Sequence, residues 1–485
     1  MNLNHRMILI MLSVGLFIPT VIAQEDSSGK QHLSFEEALE LLHNGNQSLK
    51  IADKGVEIAK SEKGKLNAFW YPSVQSTGAF VHMSEKIEVK QPLSQFTDPA
   101  KDFVHSIVPD DKFISSILDN IGAHTLTFPL LERNLTTIDA NVMWPLFTGG
   151  KRIFASRIGN RMVDLAKAGR EEAGATLQSE LVETYYALRL AQRVVDVREQ
   201  TFLGLQKHYR NAMKLEENGM INKAERLFAQ VTMDEARREL ESARKDLNVA
   251  QNALKVLLNV EDAISINPSS PLFMNHDLPD ELYFKNLVST GSYIVSKLRI
   301  QEAMADNQLK ISKSAYIPTI ALFGKQTLYA ENLPKNLMPR TLVGVGFTWN
   351  IFDGLNREAN IRQTRLTKQT LQLGREKAQN ELGVLVDKLY SEIQNAKDDV
   401  AALNTTIEMS RELVRIRKKS FQEGMATSTD VIDAETMLSK VQIAFLLAYY
   451  KYDVALASLL STCGMPESFW QYSRTGQTEN FIFGK

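Results

Sequence analysis

Cysteine is almost absent from this sequence of 485 residues, in which Cys463 is the single example. One thiol excludes a disulfide framework, a cysteine-based zinc site and an iron–sulfur cluster. The 8 histidines never stand three or four residues apart, as two metal ligands on one helix face would. We therefore expect neither a bound metal nor a cofactor.

An excess of charge of either sign is also missing. The 56 Lys and Arg residues are matched by 57 Asp and Glu residues, which leaves a net charge of −1. This balance excludes a polybasic nucleic-acid binder and an acidic tail protein, so no nucleic-acid partner is expected. A hydrophobic content of 44% also excludes wholesale disorder.

Long apolar runs are confined to the N-terminus. Residues 1–23 join a polar, basic start to an apolar stretch that is too short for a spanning helix. Val21 and Ala23 occupy the −3 and −1 positions of a cleavage site, so we predict a signal peptide over 1–23. In the rest of the chain the nearest candidate for a spanning helix is 441–460, which polar and charged residues interrupt.

Proline is missing from two long tracts, 146–267 and 340–465. Proline is excluded from helix interiors because it lacks an N–H and clashes with the preceding turn. Each tract is broken once, by a Gly-Met pair of the kind that ends a helix with positive φ. The predicted elements are long helices over 151–218 and 355–423, returning helices over 222–260 and 427–461, and shorter helices over 34–68 and 280–314.

Self-comparison indicates a tandem duplication with a constant offset of 205 residues. The turn Gly219-Met220 matches Gly424-Met425, and apolar residues recur every seven positions in both long helices. The predicted organisation is a signal peptide (1–23), a first repeat (24–260), a linker (261–279), a second repeat (280–465) and a C-terminal tail (466–485).

Four segments lose the helical period and alternate between apolar and small or polar residues. This pattern is typical of membrane β-strands, although half-buried strands of soluble proteins share it. The predicted strands are about 72–90, 134–147, 318–329 and 341–352. Four strands cannot close a membrane barrel, and open edges in lipid leave backbone groups unsatisfied. We therefore expect other copies of the chain to complete the sheet.

Four segments carry a family resemblance through their order and spacing. They are Ala68-Phe69-Trp70-Tyr71-Pro72, Trp144-Pro145-Leu146-Phe147-Thr148-Gly149-Gly150-Lys151, Trp349-Asn350-Ile351-Phe352-Asp353-Gly354-Leu355, and the turn from Gly424 to Asp430-Val431-Ile432-Asp433-Ala434. With them the sequence resembles the TolC-like outer-membrane efflux protein family over nearly all of the mature chain. The resemblance implies a mainly α fold with a small membrane β-barrel portion. Tandem-duplicated helical hairpins would form a trimeric α-barrel, and four strands per chain would enter a shared twelve-stranded barrel.

The function implied by the resemblance is that of an outer-membrane channel with a long periplasmic extension. It would be the exit duct of a tripartite efflux system that passes drugs and other small molecules from the periplasm to the exterior. The implied partners are two further copies in a homotrimer, a periplasmic adaptor (membrane fusion) protein, an inner-membrane pump and outer-membrane lipid.

Other functions stay open at this point. One is a protein-secretion conduit of an ATP-driven type I system, another is a structural coiled-coil envelope protein, and a third is an enzyme with an unrecognised site. The repeated strand pairs favour a conduit, because a plain coiled coil would not need them. No enzymatic activity is expected, since no nucleophile–base–acid set is visible and the spacing around Gly149-Gly150-Lys151-Arg152 is not that of a P-loop.

The resemblance assigns roles to the two turns. Gly219, Met220, Gly424 and Met425 would form the tips that meet the adaptor.

Two carboxylates near the second turn, Asp430 and Asp433, stand three residues apart and therefore share a helix face. The resemblance implies that they line the periplasmic entrance and that Glu225 is a latch residue of the first repeat. Asp430 could equally serve as the helix cap begun by Thr427.

The sequence departs from the family's latch at two positions. Phe421 stands in place of a tyrosine and Ala426 in place of an arginine. We therefore expect the entrance to close through other contacts. The candidates, which the sequence does not separate, are Arg415, Arg417, Lys418 and Lys419.

Overall fold

The structure is a computed structural model that describes residues 30–107, 112–261, 265–332 and 339–479. The predicted signal peptide over 1–23 lies outside these residues. The described helices are α1 (Phe35–Gly45), α2 (Gln47–Asn67), α3 (Ser94–Ile107), α4 (Lys112–Gly122), α5 (Lys151–Glu217), α6 (Lys223–Leu258), α7 (Glu281–Gly291), α8 (Tyr293–Lys313), α9 (Asn356–Gln422), α10 (Ser428–Thr462) and α11 (Ser468–Thr475). The described strands are β1 (Lys30–Leu33), β2 (Ser73–His82), β3 (Ile87–Pro92), β4 (Thr125–Leu131), β5 (Asn134–Phe147), β6 (Ser265–Pro268), β7 (Phe273–Met274), β8 (Thr319–Glu331), β9 (Thr341–Thr348) and β10 (Gln477–Thr478).

The long helices α5 and α9 have 67 residues each, which at 1.5 Å per residue is about 100 Å. Each is followed by a tight turn and by a returning helix, α6 or α10, of 36 or 35 residues. The apolar heptad positions of the long helices are largely buried, as Leu181, Leu188, Val386 and Ile393 show. The duplicated hairpins thus follow the repeat in the sequence.

The shorter helices differ from expectation, because each is broken in two. The break lies at Asn46 between α1 and α2 and at Ser292 between α7 and α8, and both residues are extended. A glycine precedes each break. A Cβ on Gly45 would lie 3.1 Å from the Leu258 carbonyl oxygen, and one on Gly291 only 2.4 Å from that of Cys463. Each first half therefore ends where its backbone approaches the end of a returning helix.

The described residues fall into two compact units. The first comprises residues within 1–56, 166–299 and 374–485, and its core combines aliphatic side chains with a group of aromatic rings. The rings of Tyr186 and Phe469 lie 6.0 Å apart, for example. The segment expected as a linker supplies β6, which pairs in parallel with β1, and β7, which pairs with β10 of the expected tail. Both segments are therefore integrated into this unit.

The second unit comprises residues 57–165 and 300–373 and contains an antiparallel sheet in the order β2-β5-β8-β9. The prediction of one continuous strand over 72–90 is wrong, because the segment forms two strands, β2 and β3. Strand β2 stops at His82, and β3 begins at Ile87 and pairs with β4 in a separate ribbon. The expected strand over 341–352 ends at Thr348. Strands β2 and β9 are the two edges of the described sheet.

One described helix, α10, is long and apolar enough to cross a membrane by length and composition. However, 61% of its most apolar stretch is buried inside the protein. The exposed fraction is at most 1% for each of Tyr449, Tyr452 and Leu456. The helix therefore packs as a core element of the first unit.

Candidate functional site

The two hairpin ends have the same backbone turn. Gly219 and Gly424 adopt φ values of 69° and 75°, which L side chains rarely adopt. The N–H of Met220 donates to the Leu215 carbonyl oxygen at 2.8 Å, and that of Met425 donates to Ser420 at 2.8 Å. These bonds are those of the motif that satisfies the last carbonyl groups of a helix.

The turns place one large apolar side chain in solvent at each hairpin end. Met220 is 60% exposed and Met425 is 72% exposed. Apart from the adjoining residues of the chain, no atom lies within 4 Å of a Cβ built on Gly219 or Gly424, so both turns have open space around them. The tip residues expected to meet an adaptor are therefore accessible in the described chain.

The returning helices begin with different caps. At α10 the Thr427 hydroxyl accepts from the Asp430 N–H at 3.3 Å, and the Asp430 carboxylate accepts from the Thr427 N–H at 2.9 Å. At α6 the Asn222 side chain accepts from the Glu225 N–H at 3.0 Å. The carboxylate of Glu225 instead accepts from the N–H of Ser428, the first residue of α10, at 3.4 Å. Glu225 of the first repeat thus reaches the second hairpin.

Asp430 and Asp433 both lie near this hairpin end, but their surroundings differ. Asp430 forms an ion pair with Arg417 at 3.2 Å. Its hydrogen bonds with Thr427, followed by the charge of Arg417, hold the pKa of its carboxyl below the ordinary value. Asp433 is exposed one turn further along the helix. The structure therefore brings Glu225 and Asp430 to one helix terminus and leaves Asp433 open to solvent.

The four basic residues considered for closing the entrance separate into two pairs. Arg415 binds Glu412 of its own helix at 2.6 Å, and Lys419 approaches Glu423, the residue just after that helix, at 4.0 Å. Arg417 and Lys418 instead reach across to α10, where they pair with Asp430 and Glu435 respectively. Only this second pair joins the two helices of the hairpin.

A buried contact between the two hairpins was missed from the sequence. The Nε2 atom of His208 on α5 lies 2.7 Å from the Ser428 hydroxyl oxygen on α10, and His208 is 4% exposed. Its ring lies 4.6 Å from that of Phe421. Burial, with a smaller effect of the Lys418 charge, lowers the pKa of His208 to about 4. The imidazole is therefore neutral at pH 7.

The residues that depart from the family's latch have an apolar role. Phe421 is 2% exposed and belongs to a small core with Leu205, Val431 and Ile432, against which Ala426 packs. The hairpin ends are thus joined by apolar packing, by the His208–Ser428 contact and by Glu225. Sequence spacing alone could not reveal these contacts, because they join residues more than 200 positions apart.

In the second unit the strand registers define two faces of the sheet. Side chains on one face are apolar and exposed: Val74, Ile138, Val343, Val345 and Phe347. On the other face the Asp139 carboxylate pairs with the Lys325 ammonium at 2.7 Å and accepts from the Thr327 hydroxyl at 2.7 Å. The sheet therefore has an apolar side and a hydrogen-bonded polar side.

The junctions between sheet and helix also repeat. Trp144 donates to the Trp70 carbonyl and Trp349 to the Tyr316 carbonyl, both at 3.1 Å. The Arg152 guanidinium lies 4.5 Å from the Trp70 ring centroid. In the second repeat Arg357 lies 4.6 Å from the Tyr316 ring centroid. A cation–π contact therefore holds the start of each long helix against an aromatic residue that stands three positions before a strand.

Among the described residues, no group of three or more His, Cys, Asp or Glu side chains has the geometry to hold a metal ion. The described charged groups nearest the hairpin turns are the carboxylates and basic residues given above, and the sheet has two contrasting faces.

The comparisons with known proteins agree with this architecture. The model of the outer membrane efflux protein family matches residues 132–260 and 294–465. The outer membrane efflux protein BepC of Brucella suis is 23% identical over 295 residues, which are 58% of this chain and 62% of BepC. The alkaline protease secretion protein AprF of Pseudomonas aeruginosa is 22% identical over 293 residues, 59% of this chain and 60% of AprF. The matched part spans about three fifths of these curated relatives.

Solved structures are similar over more of the chain. The outer membrane protein VceC of Vibrio cholerae aligns with a TM-score of 0.70, with 14% identity, over 89% of this chain and 96% of VceC. At this identity the likeness shows the fold. It confirms the expected fold class, in which duplicated helical hairpins are combined with a small sheet.

Proposed function

Because this chain belongs to the outer membrane efflux protein family, we propose that it is the exit duct of a tripartite efflux system. It is a protein of the outer membrane with a long helical periplasmic part. The proposed duct passes small molecules from the periplasm to the exterior without chemical change.

The observation that carries this proposal is the four-stranded sheet with two open edges. Edge backbone groups left unpaired in lipid each cost several kcal/mol, of the order of 2–7. The sheet is apolar on one face and polar on the other, as a strand needs when it separates lipid from a water-filled lumen. In a homotrimer these edge backbone groups are paired, since β2 of one copy pairs with β9 of the next and closes a barrel of twelve strands.

Native mass spectrometry of the detergent-extracted protein tests the trimer. We expect a species of three chains, each of 54.6 kDa before removal of any signal peptide. A proline in place of Gln75 on edge strand β2 serves as the disrupting variant, because proline cannot donate to a neighbouring strand. Monomers from the unmodified protein would contradict the proposal.

The proposed partners are a periplasmic adaptor and an inner-membrane pump, and the proposed contact with the adaptor is at Gly219, Met220, Gly424 and Met425. The exposure of both methionines supports this role. Replacing Met220 and Met425 by glutamate should abolish export while trimers persist, because charge is depleted from interface centres. Unchanged export would count against adaptor docking there.

The proposed entrance residues are Asp430, Asp433 and Glu225. In a trimer the two aspartates would provide a ring of negative charge, which admits cations and repels anions. The test is single-channel recording of the Asp430→Ala/Asp433→Ala variant with multivalent cations on the periplasmic side. Cation selectivity and multivalent block should both weaken. If both match the unmodified channel, these carboxylates do not line the entrance, and Asp430 acts only as a cap.

A second candidate function is a protein-secretion conduit of an ATP-driven type I system. The match to AprF, named as an alkaline protease secretion protein, favours it. Deletion of the gene separates the two functions. Loss of efflux should raise sensitivity to toxic small molecules, whereas loss of secretion should remove a protein from the culture medium and leave that sensitivity unchanged.

A further inference from the structure

Glu479, the last described residue of the C-terminal segment, is 0% exposed and ties that segment to helix α5. The Nε atom of Arg189 donates to its Oε1 atom at 2.9 Å, and the Nε atom of Arg193 donates to the same oxygen at 3.3 Å. Arg189 also donates to the Pro268 carbonyl of β6 at 3.1 Å. The other oxygen of Glu479, Oε2, has no hydrogen-bond partner among the described residues. Both arginines therefore bind one oxygen of Glu479 and leave the second unpartnered.

A second buried carboxyl group, that of Asp453 on α10, lies in the same part of the core. Its side chain is 0% exposed, and neither of its oxygens has a hydrogen-bond partner within the described chain. The Glu479 N–H donates to the Leu272 carbonyl at 3.1 Å, and the main chain of the next residue, Phe273, lies near Asp453. The two carboxyl groups therefore flank one short segment of chain, and three of their four oxygens lack a donor.

The other titratable side chains that face Asp453 in the described part of the protein carry no positive charge. They are the tyrosines Tyr186 of α5 and Tyr449 and Tyr452 of α10. Burial raises the pKa of all three tyrosines, and the charge of Asp453 adds to that shift. The two arginines of α5 bind Glu479 instead. An ionised Asp453 would therefore have no described cation to balance it.

An unpaired charge in this position is strongly unfavourable, because a buried carboxyl group that has no partner takes up a proton instead of ionising. Burial accordingly raises the pKa of the Asp453 carboxyl well above its ordinary value, the Phe273 main chain opposes this shift, and the charge of Glu479 adds to it. A protonated carboxyl group also has an O–H that donates, whereas a carboxylate only accepts. The unpartnered Oε2 atom of Glu479 is an acceptor of the matching kind.

We propose that Asp453 holds a proton in the folded protein at neutral pH, and that this proton is a pH-sensitive latch for the C-terminal segment. Loss of the proton in alkali places a second negative charge beside Glu479. The segment is then released from α5 and β7, because its last strand, β10, has only two residues to hold it. The latch lies within the first unit and does not depend on the proposed duct.

The pH dependence of the latch has a definite direction. Once the segment is released, the Asp453 carboxyl meets water and its pKa returns toward the ordinary value of about 3.9. The seated form therefore binds one proton more than the released form between this value and the raised pKa. The latch is at full strength below pH 3.9 and weakens as the pH rises through 7. One proton per chain corresponds to about a tenfold change per pH unit in the equilibrium between seated and released segments.

Hydrogen exchange of the Glu479 amide in the purified protein tests the latch. The measured quantity is the protection factor, which removes the intrinsic pH dependence of exchange. Asp453→Asn replaces the protonated carboxyl by a neutral group of the same shape, and the matched control Asp234→Asn makes the same change at an exposed position of α6. From pH 7 upward we expect protection to fall by about tenfold per pH unit in the unmodified protein and in the control. It should stay constant in Asp453→Asn. A constant protection factor in the unmodified protein, or an equal fall in Asp453→Asn, would overturn the latch.

Infrared spectroscopy detects the proton itself and can be applied to the unmodified protein. At pH 7 carboxyl groups with ordinary pKa values are ionised, so a protonated-carboxyl band reports the exceptional ones. We expect such a band at pH 7, its loss in alkali, its absence from Asp453→Asn and its retention in Asp234→Asn. No band from the unmodified protein would mean that Asp453 is ionised, with a bound cation or a partner outside the described residues, and would overturn the proposal. A band of unchanged intensity in Asp453→Asn would assign the proton to another group and overturn it equally.

Discussion

At the end of the first hairpin Arg226 of α6 pairs with Glu216 of α5 at 2.5 Å, whereas at the end of the second Arg417 of α9 pairs with Asp430 of α10 at 3.2 Å. The returning helix supplies the basic residue in the first hairpin, and the long helix supplies it in the second. The backbone turn is nevertheless the same in both. The duplication therefore repeats the main chain, while the side chains that join each pair of helices differ between the repeats.

The caps at the starts of the two returning helices, α6 and α10, also use different side-chain contacts. Asp430 closes a capping box within its own helix, whereas the carboxylate of Glu225 reaches the first residue of α10. Counting back by 205, Phe421 corresponds to Glu216, so a buried ring in one repeat stands where the other has a charged group. Glu225 of the first hairpin therefore bonds to the second, and both hairpins supply apolar side chains to the small core between them.

Substitutions at the equivalent positions Phe421 and Glu216 should show the largest difference in stability between the repeats. Phe421→Ala should destabilise the hairpin ends by about 3–5 kcal/mol, because it removes a buried ring. Glu216→Ala removes a partly exposed ion pair and should cost less than about 1 kcal/mol. Hydrogen exchange of the amides at the ends of α5 and α9 measures both. Similar costs for the two variants would contradict the asymmetry.

Acid should loosen the contact between the hairpins through His208. Its folded pKa of about 4 lies below the ordinary 6.5, so the unfolded form binds more protons between these values. Stability is therefore full above pH 6.5 and falls by up to about 3 kcal/mol as the pH drops to 4. His208→Gln should remove this dependence, which hydrogen exchange against pH detects. A persistent dependence in the variant would assign it to another group.

The shared turn should respond equally in both repeats. Gly219→Ala and Gly424→Ala should each cost about 1 kcal/mol, since an L side chain resists positive φ. No neighbour lies close enough to add a clash at either position. Thermal unfolding of the two variants makes the comparison, with the unmodified trimer as reference. A clearly larger cost at one glycine would mean that the turns differ in more than their side chains.

The smallest effects are expected from the reversed ion pairs. Arg226→Ala and Arg417→Ala should each cost at most about 1 kcal/mol, because both pairs are partly exposed and screened by salt. The double-mutant cycles Arg226/Glu216 and Arg417/Asp430 isolate each coupling. Raising the salt concentration should reduce both couplings. A coupling unaffected by salt would point to a buried contact.

The sequence was most informative where one residue type controls the backbone. The Gly-Met pairs marked both hairpin turns, and β5 has the predicted bounds of 134–147. It was least informative where the controlling contact is distant. The breaks at Asn46 and Ser292 depend on the ends of α6 and α10, and the Gly-Asn and Gly-Ser steps there were too weak as signals. His208 and Glu225 likewise find their partners only after the hairpins pack together.

The central claim is that this chain forms a water-filled duct through the outer membrane. Single-channel recording of the purified trimer in a planar lipid bilayer tests it most directly, with the Gln75→Pro variant of the edge strand as control. We expect discrete ion-conducting steps from the unmodified protein and none from a variant that remains monomeric. Trimers that insert into the bilayer and conduct no ions would contradict the account.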